Sequence, residues 1–203
     1  MKPYYQDAAV TIYHGDCREI MTSLGPVDVV LTDPPYGLAD RWTGGTWGAA
    51  EMYDDAKRWD RNIPTEAVLS LQKVAPVVIV WGGNLYQFPP SRGWLAWEKS
   101  SKMATLADME FAWTNLDRPA KLWKEDRNPD GKREHPTQKP LSLMLWCLGF
   151  AEGSVLDPFL GSGTTLRAAK DLGRKAIGIE IEERYCEIAA KRMAQEVMDF
   201  EKP

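Results

Sequence analysis

A carboxylate, two prolines and an aromatic ring follow one another at Asp33-Pro34-Pro35-Tyr36. Each proline fixes its own φ near about −65° and restricts the residue before it, so the loop that carries these groups is stiff. The carboxylate of Asp33 and the carbonyl of Pro34 can accept both hydrogens of an amino group, and Tyr36 offers a ring face. These groups suit a planar base with an exocyclic amino group. An ordinary proline-rich turn with a helix cap and a core tyrosine explains the same residues, so the motif alone leaves both interpretations open.

A second stretch, residues 157–164, begins with Asp157 and is rich in glycine. It lies between an apolar run and a helix predicted over about residues 166–172. In a strand, turn and helix of this kind, small residues let a ligand approach the backbone and the helix N-terminus. The stretch lacks the third glycine of the dinucleotide fingerprint and the Gly-Lys-Ser/Thr ending of a phosphate loop. It therefore favours neither NAD nor ATP. Glu180 ends the next predicted strand, residues 176–180, where an acid can bind both hydroxyls of a ribose.

Two further charged residues lie next to predicted elements, one after a strand and one before a helix. Asp16 follows the strand predicted at residues 9–13. Ligands of a doubly wound sheet sit at the carboxyl ends of its strands, so Asp16 can share a site with the acids above, although it can equally cap the short helix that follows. Lys139 precedes an apolar helix predicted at residues 141–150, whose first turn contains Pro140. Its ammonium and the free N–H groups of that turn can face a ligand carboxylate.

The elements that must position these residues predict an α/β fold. Residues 27–31 and 76–81 are almost entirely apolar and read as buried strands, and residues 64–74 between them read as a helix. Such strands are typical of a parallel sheet that is covered on both faces, here a doubly wound one. Residues 93–98 and 109–114 predict two later strands that are antiparallel at one edge. The fold class is thus a mostly parallel sheet with one antiparallel edge strand.

Two connecting segments combine aromatic and basic residues. Residues 38–62 are rich in Gly, Trp, Arg and Lys, which suits a functional lid or an ordinary surface excursion. Residues 118–139 hold seven basic and four acidic side chains, a local charge of +3 that suits phosphate contacts or a solvated connection. The candidate nucleic-acid contacts are Arg41, Trp42, Lys57, Arg58, Arg118, Lys121, Lys124, Arg127, Lys132 and Arg133.

Composition narrows the class of protein. The chain of 203 residues is 44% hydrophobic, which suits one globular domain, and its net charge of −4 argues against an indiscriminate, strongly basic nucleic-acid binder. No apolar run approaches the roughly 20 residues of a membrane span, and the first residues lack a signal-peptide core, so we expect a cytosolic protein without a membrane partner. The three cysteines form no CxxC pair, and His14 and His135 have no ligand spacing. The sequence therefore predicts no metal site.

Taken together, these residues resemble the S-adenosylmethionine-dependent DNA amino-methyltransferases, which methylate the 6-amino group of adenine or the 4-amino group of cytosine. The resemblance has three anchors: the catalytic motif at residues 33–36, the helix-leading motif at residues 135–140 and the cofactor loop at residues 157–163. Their order is similar to the beta arrangement of that family, and it implies a circularly permuted, Rossmann-like methyltransferase fold. The resemblance spans about residues 8–195. It divides one domain into a catalytic half (about 9–115), a basic connecting loop (about 116–134) and a cofactor-binding half (about 135–200).

The resemblance implies S-adenosylmethionine as cofactor and DNA as substrate. Its catalytic residues would be Asp33, Pro34, Pro35 and Tyr36. Its cofactor-binding residues would be Asp16, Asp33, Thr137, Lys139, Asp157, Pro158, Phe159, Gly161, Ser162, Gly163, Thr164 and Glu180. Within that set, Glu180 would bind the ribose and Asp16 would lie near the adenine. Thr137 and Lys139 would lie near the methionine carboxylate.

The resemblance also favours a target. Asp33, rather than Ser, at the first catalytic position favours adenine, which the enzyme would flip out of the duplex and methylate by direct in-line transfer. A cytosine N4 methyltransferase, an RNA methyltransferase and a non-catalytic nucleic-acid-binding partner subunit of the same fold are the alternatives. The chain has no extended target-recognition domain, so its recognition sequence is open. We expect a bacterial or phage protein of the restriction-modification type, and a homodimer is a candidate assembly.

Overall fold

The structure is a computed structural model that describes residues 2–37, 60, 64–102, 107–127, 129 and 138–195. Its strands are β1 (Tyr5–Gln6), β2 (Val10–His14), β3 (Val29–Thr32), β4 (Val77–Trp81), β5 (Leu95–Lys99), β6 (Met109–Thr114), β7 (Lys121–Glu125), β8 (Val155–Asp157) and β9 (Ala176–Glu180). Its α-helices are α1 (Cys17–Ile20), α2 (Thr65–Ser70), α3 (Leu141–Leu148), α4 (Thr164–Asp171) and α5 (Glu183–Ala194). Short 3₁₀ turns follow α1, α2 and β4 at Met21–Ser23, Leu71–Lys73 and Gly83–Leu85.

The nine strands of the described residues form one sheet in the order β1-β2-β9-β8-β3-β4-β6-β5-β7. The five strands from β2 to β4 in that order are parallel; Val30 of β3, for example, pairs with Val78 of β4 and with Leu156 of β8. The predicted α/β sheet is therefore confirmed. Because the parallel strands point the same way, their carboxyl ends meet along one edge of the sheet, where the predicted site residues lie. Circular permutation stays a prediction.

The sheet is covered on both faces. Alternate residues of a strand point to opposite faces, so Leu31 of β3 packs with α3, α4 and α5, whereas Val30 packs with α1 and α2. β4 repeats this division with Ile79 on the first face and Val78 on the second. Because both faces are buried, the two strands are apolar except for Thr32 at the end of β3, and those apolar runs made them recognisable in the sequence.

The antiparallel part of the sheet differs in one respect from the expectation. β6 runs antiparallel to both β4 and β5, but it is an internal strand, because β7 pairs with β5 in parallel and forms the edge. β7 lies inside the segment that we expected to be a basic connecting loop. The strand was not predicted because two lysines and one glutamate interrupt its apolar residues. An edge strand with one solvated face tolerates such charges. The opposite edge of the sheet is formed by β1, which pairs with β2 in antiparallel orientation.

Among the described residues, no helix combines the length and the apolarity that crossing a membrane requires.

Candidate active site

The loop directly after β3, residues 33–36, is held by side chains from two other parts of the chain. Asp60 Oδ1 accepts a hydrogen bond from the backbone N–H of Tyr36 at 2.6 Å and another from the next residue at 3.1 Å. The hydroxyl of Tyr86 donates to the carbonyl of Pro35. Asp60 is buried. Two prolines and three tertiary hydrogen bonds thus restrain the same short loop, which makes it a rigid support for reactive groups.

The ammonium of Lys139 is enclosed by groups of the chain itself. Lys139 Nζ lies 2.5 Å from Asp33 Oδ2 and 3.1 Å from Glu110 Oε2. The rings of Tyr36 and Trp81 lie with their centroids 5.6 Å and 5.7 Å from the same atom. The other oxygen of Asp33 accepts a hydrogen bond from the hydroxyl of Tyr36. We expected Lys139 to face a ligand carboxylate, and the structure instead supplies two protein carboxylates as its partners.

These neighbours shift the titration of the cluster. Burial raises the pKa of Asp33, against the opposing effect of the Lys139 ammonium, and the nearby charge of Glu110 raises it further. Burial also disfavours the charge on Lys139, but the carboxylates of Asp33 and Glu110 raise its pKa overall. Burial and the charge of Asp33 raise the pKa of Tyr36 well above its usual value. At neutral pH the cluster therefore contains a charged lysine beside a neutral tyrosine.

Four acids stand at the ends of four neighbouring parallel strands. In sheet order, Asp16 follows β2, Glu180 ends β9, Asp157 ends β8 and Asp33 follows β3. The expectation that strand ends would bring them together came from the sequence, and the sheet order makes them consecutive. All four line the same cavity. A row of acceptors beside a cavity suits a ligand with hydroxyl and amino groups.

Two of these acids are deeply buried and bonded to the loops around them. Asp157 Oδ1 accepts a hydrogen bond from Thr32 Oγ1 at 2.7 Å, and burial raises the pKa of Asp157 to about 6. Glu180 accepts from the backbone N–H groups of Gly161 at 2.7 Å and Glu182 at 2.9 Å. Burial raises the pKa of Glu180 to about 7. Each carboxylate oxygen keeps acceptor capacity beyond one bond, so Glu180 can still bind ligand hydroxyls.

The glycine-rich turn serves two purposes. Gly161 has a φ of +52° and presents its N–H to Glu180, and Ser162 Oγ donates to Gln138 Oε1 at 3.2 Å. Gly163 packs against helix α5, and its contact with the cofactor stays a prediction. Its φ is +83°, and a Cβ there would lie 2.9 Å from the Cβ of Ala189. This glycine therefore permits close packing of α4 on α5, because a larger residue would separate the helices.

Asp16 combines both interpretations that the sequence left open. Its side chain caps α1 by accepting from the backbone N–H of Arg18 at 2.8 Å, and it pairs with the guanidinium of the same residue. It also lines the cavity. Because the backbone and the guanidinium of Arg18 already bond to both carboxylate oxygens, a ligand amino or hydroxyl group would use the remaining acceptor capacity of Asp16 or displace the exposed guanidinium.

The cavity has a volume of about 460 Å³, within the range of small-molecule sites. The predicted site residues that line it are Asp16, Asp33, Pro34, Pro35, Tyr36, Lys139, Asp157, Pro158, Phe159, Gly161, Ser162, Thr164 and Glu180. A nucleoside with a charged tail fits this chemistry: Phe159 offers a ring face, Glu180 offers acceptors for ribose hydroxyls, and Gly161 leaves the backbone accessible. Thr137 lies outside the described residues.

The predicted nucleic-acid contacts are distributed differently. Arg41, Trp42, Lys57, Arg58, Lys132 and Arg133 lie outside the described residues. The guanidinium of Arg118 stacks on the ring of Phe150 at 4.2 Å, and Arg127 Nη2 donates to the carbonyl of Ala107 at 2.9 Å. Lys124 pairs with Glu98, and Lys121 is exposed. Both arginines thus make contacts within the protein, and their contact with a phosphate stays a prediction.

Sequence reasoning missed several residues around the catalytic loop. Asp60 lies in an aperiodic segment, and Tyr86 follows a turn, so neither carries a local signal. Gly82 has a φ of +67°, and a Cβ there would lie 2.0 Å from Tyr36 Cε1, so it makes room for the ring. Glu110 was taken as part of an ordinary strand. The sequence signal for Glu110 is a single charged residue among the apolar residues of β6. In the structure Lys99 is its second partner.

Comparisons with known proteins identify the family to which the chain belongs. A family model of N6/N4 DNA methylases matches residues 96–191. The type II methyltransferase M.HpaI of Haemophilus parainfluenzae is 41% identical over 224 aligned residues, which cover 86% of this chain and 70% of that protein.

Solved structures share the fold. The complex of M1.HpyAVI with S-adenosylmethionine has a TM-score of 0.66 and 25% identity, and the alignment covers 92% of this chain and all of that one. The PvuII DNA methyltransferase, which is described as cytosine-N4-specific, has a TM-score of 0.67 and 18% identity over 98% of this chain and 91% of that one. The second likeness bears on the fold alone. From the sequence relationship and the shared fold, the chain belongs to the N6/N4 family of DNA methyltransferases, which use S-adenosylmethionine as cofactor.

Proposed function

We propose that this DNA methyltransferase transfers a methyl group to the 6-amino group of adenine. The observation that carries the proposal is that Asp33 and Tyr36 share one cavity with Asp157 and Glu180. The first pair suits a base with an amino group, and the second pair suits a nucleoside cofactor. Both sets therefore open onto a single space in which two bound molecules would be neighbours.

The cofactor would occupy the side of the cavity formed by the ends of β8 and β9. Glu180 would accept from its ribose hydroxyls, and the half-buried ring of Phe159 would pack on its adenine. When bound, S-adenosylmethionine supplies an electrophilic methyl group. The chain's own task is to hold the acceptor nitrogen in line with that methyl and to keep water away from the buried carboxylates.

The base would occupy the side of the cavity formed by the loop after β3. An amino nitrogen on a base is a poor nucleophile because its lone pair is delocalised into the ring. If Asp33 and the carbonyl of Pro34 accept its two hydrogens, the nitrogen becomes pyramidal and its lone pair can point at the methyl group. Two of the lone-pair sites of Asp33 already accept from Tyr36 and Lys139, and a carboxylate has about four. An amino group can therefore be bound without displacing either partner.

A base in a duplex cannot reach this cavity, so it would be flipped out at an unstacking cost of a few kcal/mol. Stacking on Tyr36 would recover part of that cost, since base stacking on an aromatic side chain contributes about 1–3 kcal/mol. Adenine is proposed over cytosine because aspartate stands at the first position of the catalytic motif. The homodimer and the contacts of the basic residues with DNA stay predictions.

The test is to incubate the protein with methyl-labelled S-adenosylmethionine and unmethylated duplex DNA, and then to digest the DNA and identify the labelled nucleoside. We expect label in N6-methyladenosine. Asp33→Ala should abolish transfer and leave cofactor affinity nearly unchanged. Asp117→Ala is the matched control, because it removes an exposed acid whose partner Arg92 is also exposed.

Label in N4-methylcytosine would keep the mechanism and overturn the target. If the DNA takes up no label and RNA supplied in its place does, the proposed substrate is overturned. A protein that binds the cofactor but labels no nucleic acid would have the role of a non-catalytic partner subunit. Full turnover by Asp33→Ala would remove Asp33 from the mechanism.

A further inference from the structure

We propose that Glu110 is a positioning residue for methyl transfer, because it holds the ammonium of Lys139 at the place from which Lys139 orients Asp33. The inference rests on the proposed function and names a residue that reaches the catalytic loop through Lys139. Four charges of alternating sign connect the sheet extension to the loop. In spatial order they are Lys99 of β5, Glu110 of β6, Lys139 before α3 and Asp33 after β3.

The geometry of this chain of charges is specific. Lys139 Nζ lies 3.1 Å from Glu110 Oε2 and 2.5 Å from Asp33 Oδ2, so it bridges the two carboxylates. The other oxygen of Glu110 contacts the ammonium of Lys99. The side chains of Lys99 and Lys139 are only 6% and 4% exposed. A buried ammonium requires a partner, and Lys139 has two carboxylate partners.

The second partner matters for the reaction because the two carboxylates share one ammonium. With Glu110 in place, the charge of Lys139 is shared, and Asp33 keeps acceptor strength for an incoming amino group. Without Glu110, the ammonium would pair with Asp33 alone. That would draw Asp33 toward Lys139 and lower its basicity, so the amino group would meet a displaced and weaker acceptor.

A purely structural role for Glu110 is the neutralisation of Lys99. Replacing Glu110 alone would leave Lys99 buried without its partner, so a loss of activity could come from local unfolding. The informative comparison is therefore between Lys99→Met and the double variant Lys99→Met/Glu110→Gln. In both, the buried charge of Lys99 is absent, and they differ only in the charge offered to Lys139.

The matched control is Glu98→Gln. Glu98 neighbours Lys99 on β5 and also pairs with a lysine, Lys124 at 3.2 Å, which is exposed. The variant makes the same chemical change on the opposite face of the same sheet extension. It should retain wild-type kinetics.

The measurements are single-turnover rate, KM for S-adenosylmethionine and the pH profile of kcat with duplex DNA. Relative to Lys99→Met, the double variant should show a kcat lower by about 10- to 100-fold, the size of effect expected when a catalytic group is displaced by up to about 1 Å. KM for the cofactor should change by less than about twofold, because Glu110 makes none of the cofactor's proposed contacts and Lys139, which was expected near the methionine carboxylate, keeps Asp33 as a partner in both variants.

The acid limb of the pH profile should also move to lower pH. The charge of Glu110 raises the pKa of Asp33, so its removal lowers that pKa. The other ionisable groups that act on this cluster are Lys139, Tyr36, Tyr86, Asp157, Asp60 and Arg127. None of them is altered in the double variant.

A kcat within about twofold of the Lys99→Met value would overturn the proposal. So would a lower kcat with an unmoved acid limb, since that pattern indicates a structural role alone. The pKa of Asp33 can also be measured without a reaction, by ¹³C NMR of carboxyl-labelled aspartate in the cofactor-free protein, with Asp33→Asn for assignment. A lower midpoint in the double variant supports the positioning role, and an unchanged midpoint refutes it. If the wild-type protein methylates no DNA, the proposed function fails, whereas this titration still decides the role of Glu110.

Discussion

Replacing Gly82 with alanine should inactivate the enzyme by moving Tyr36. Gly82 follows β4 directly and has a φ of +67°. A Cβ at this position would lie 2.0 Å from Cε1 and 2.6 Å from both Cδ1 and Cζ of the Tyr36 ring. Carbon atoms in contact are normally about 3.5–4.0 Å apart. The ring or the strand end must therefore shift by roughly 1.5 Å.

The consequence for the reaction follows from the contacts of Tyr36. Its hydroxyl donates to Asp33, and its backbone N–H is bonded to Asp60, so a displaced ring disturbs both the stacking surface and the acceptor. A misplacement of about 1 Å can cost on the order of 100-fold in rate. We expect Gly82→Ala to lower the single-turnover rate by at least that factor. Its affinity for S-adenosylmethionine should change little, because the cofactor residues lie at the ends of β8 and β9.

Gly173 provides a matched control. Its φ is +66°, and a Cβ there would have no atom within 4 Å. Both alanine variants carry the same backbone strain, about 1–2 kcal/mol, which corresponds to roughly 2–4 °C in Tm per kcal/mol for a chain of this size. Only Gly82→Ala adds the collision. If the two variants have Tm values within about 2 °C and methylation rates within about threefold of each other, the argument that Gly82 makes room for Tyr36 is refuted.

Two further predictions concern the cofactor side. Burial raises the pKa of Glu180 from its usual value near 4.5 to about 7, so the folded protein binds this proton more tightly than the unfolded chain does. The resulting contribution to the free energy of unfolding is up to about 3 kcal/mol. It is present below pH 4.5 and is lost as the pH rises through 7. Denaturation of the cofactor-free protein at pH 5 and pH 8 should therefore show a smaller pH-dependent loss in Glu180→Gln than in wild type, and an equal loss would contradict the assignment. Gly161→Val should weaken cofactor binding measured by calorimetry, because a φ of +52° is poorly accessible to a β-branched residue beside the cavity. Gly173→Val, with similar strain in open space, should bind normally, and equal affinities would count against the placement of the cofactor loop.

The local parts of the fold and site were predictable from local signals. The apolar runs of β3 and β4 identified buried strands because both faces of those strands are covered. The prolines at 34 and 35 end a strand and stiffen a loop wherever they occur, so a rigid Asp33 and Tyr36 at a strand end followed from residue type. β7 was missed because an edge strand with a solvated face lacks the continuous apolarity that marks β3.

The roles of single residues near the site depended on long-range contacts. Asp16 is both a helix cap and part of the cavity wall, and only the pairing of β2 beside β9 decides that it is both. Gly163 matched a cofactor loop in sequence, yet its missing side chain accommodates helix α5. Gly82 makes room for the ring of Tyr36, from which it is separated by 46 positions in the sequence. No sequence pattern around either residue indicates this contact.

By itself, the sequence determined an α/β sheet, a stiff loop carrying Asp33 and Tyr36, and a glycine-rich turn after a later strand, because each arises from residue types and spacing over a few neighbouring positions. Only the tertiary structure decided what surrounds those groups. The charges of Lys99, Glu110, Lys139 and Asp33 come from four separate parts of the chain and form one cluster. A buried charge is stable only beside an opposite charge. Which residue supplies that opposite charge is decided by the pairing of the strands and not by the residues adjacent in sequence.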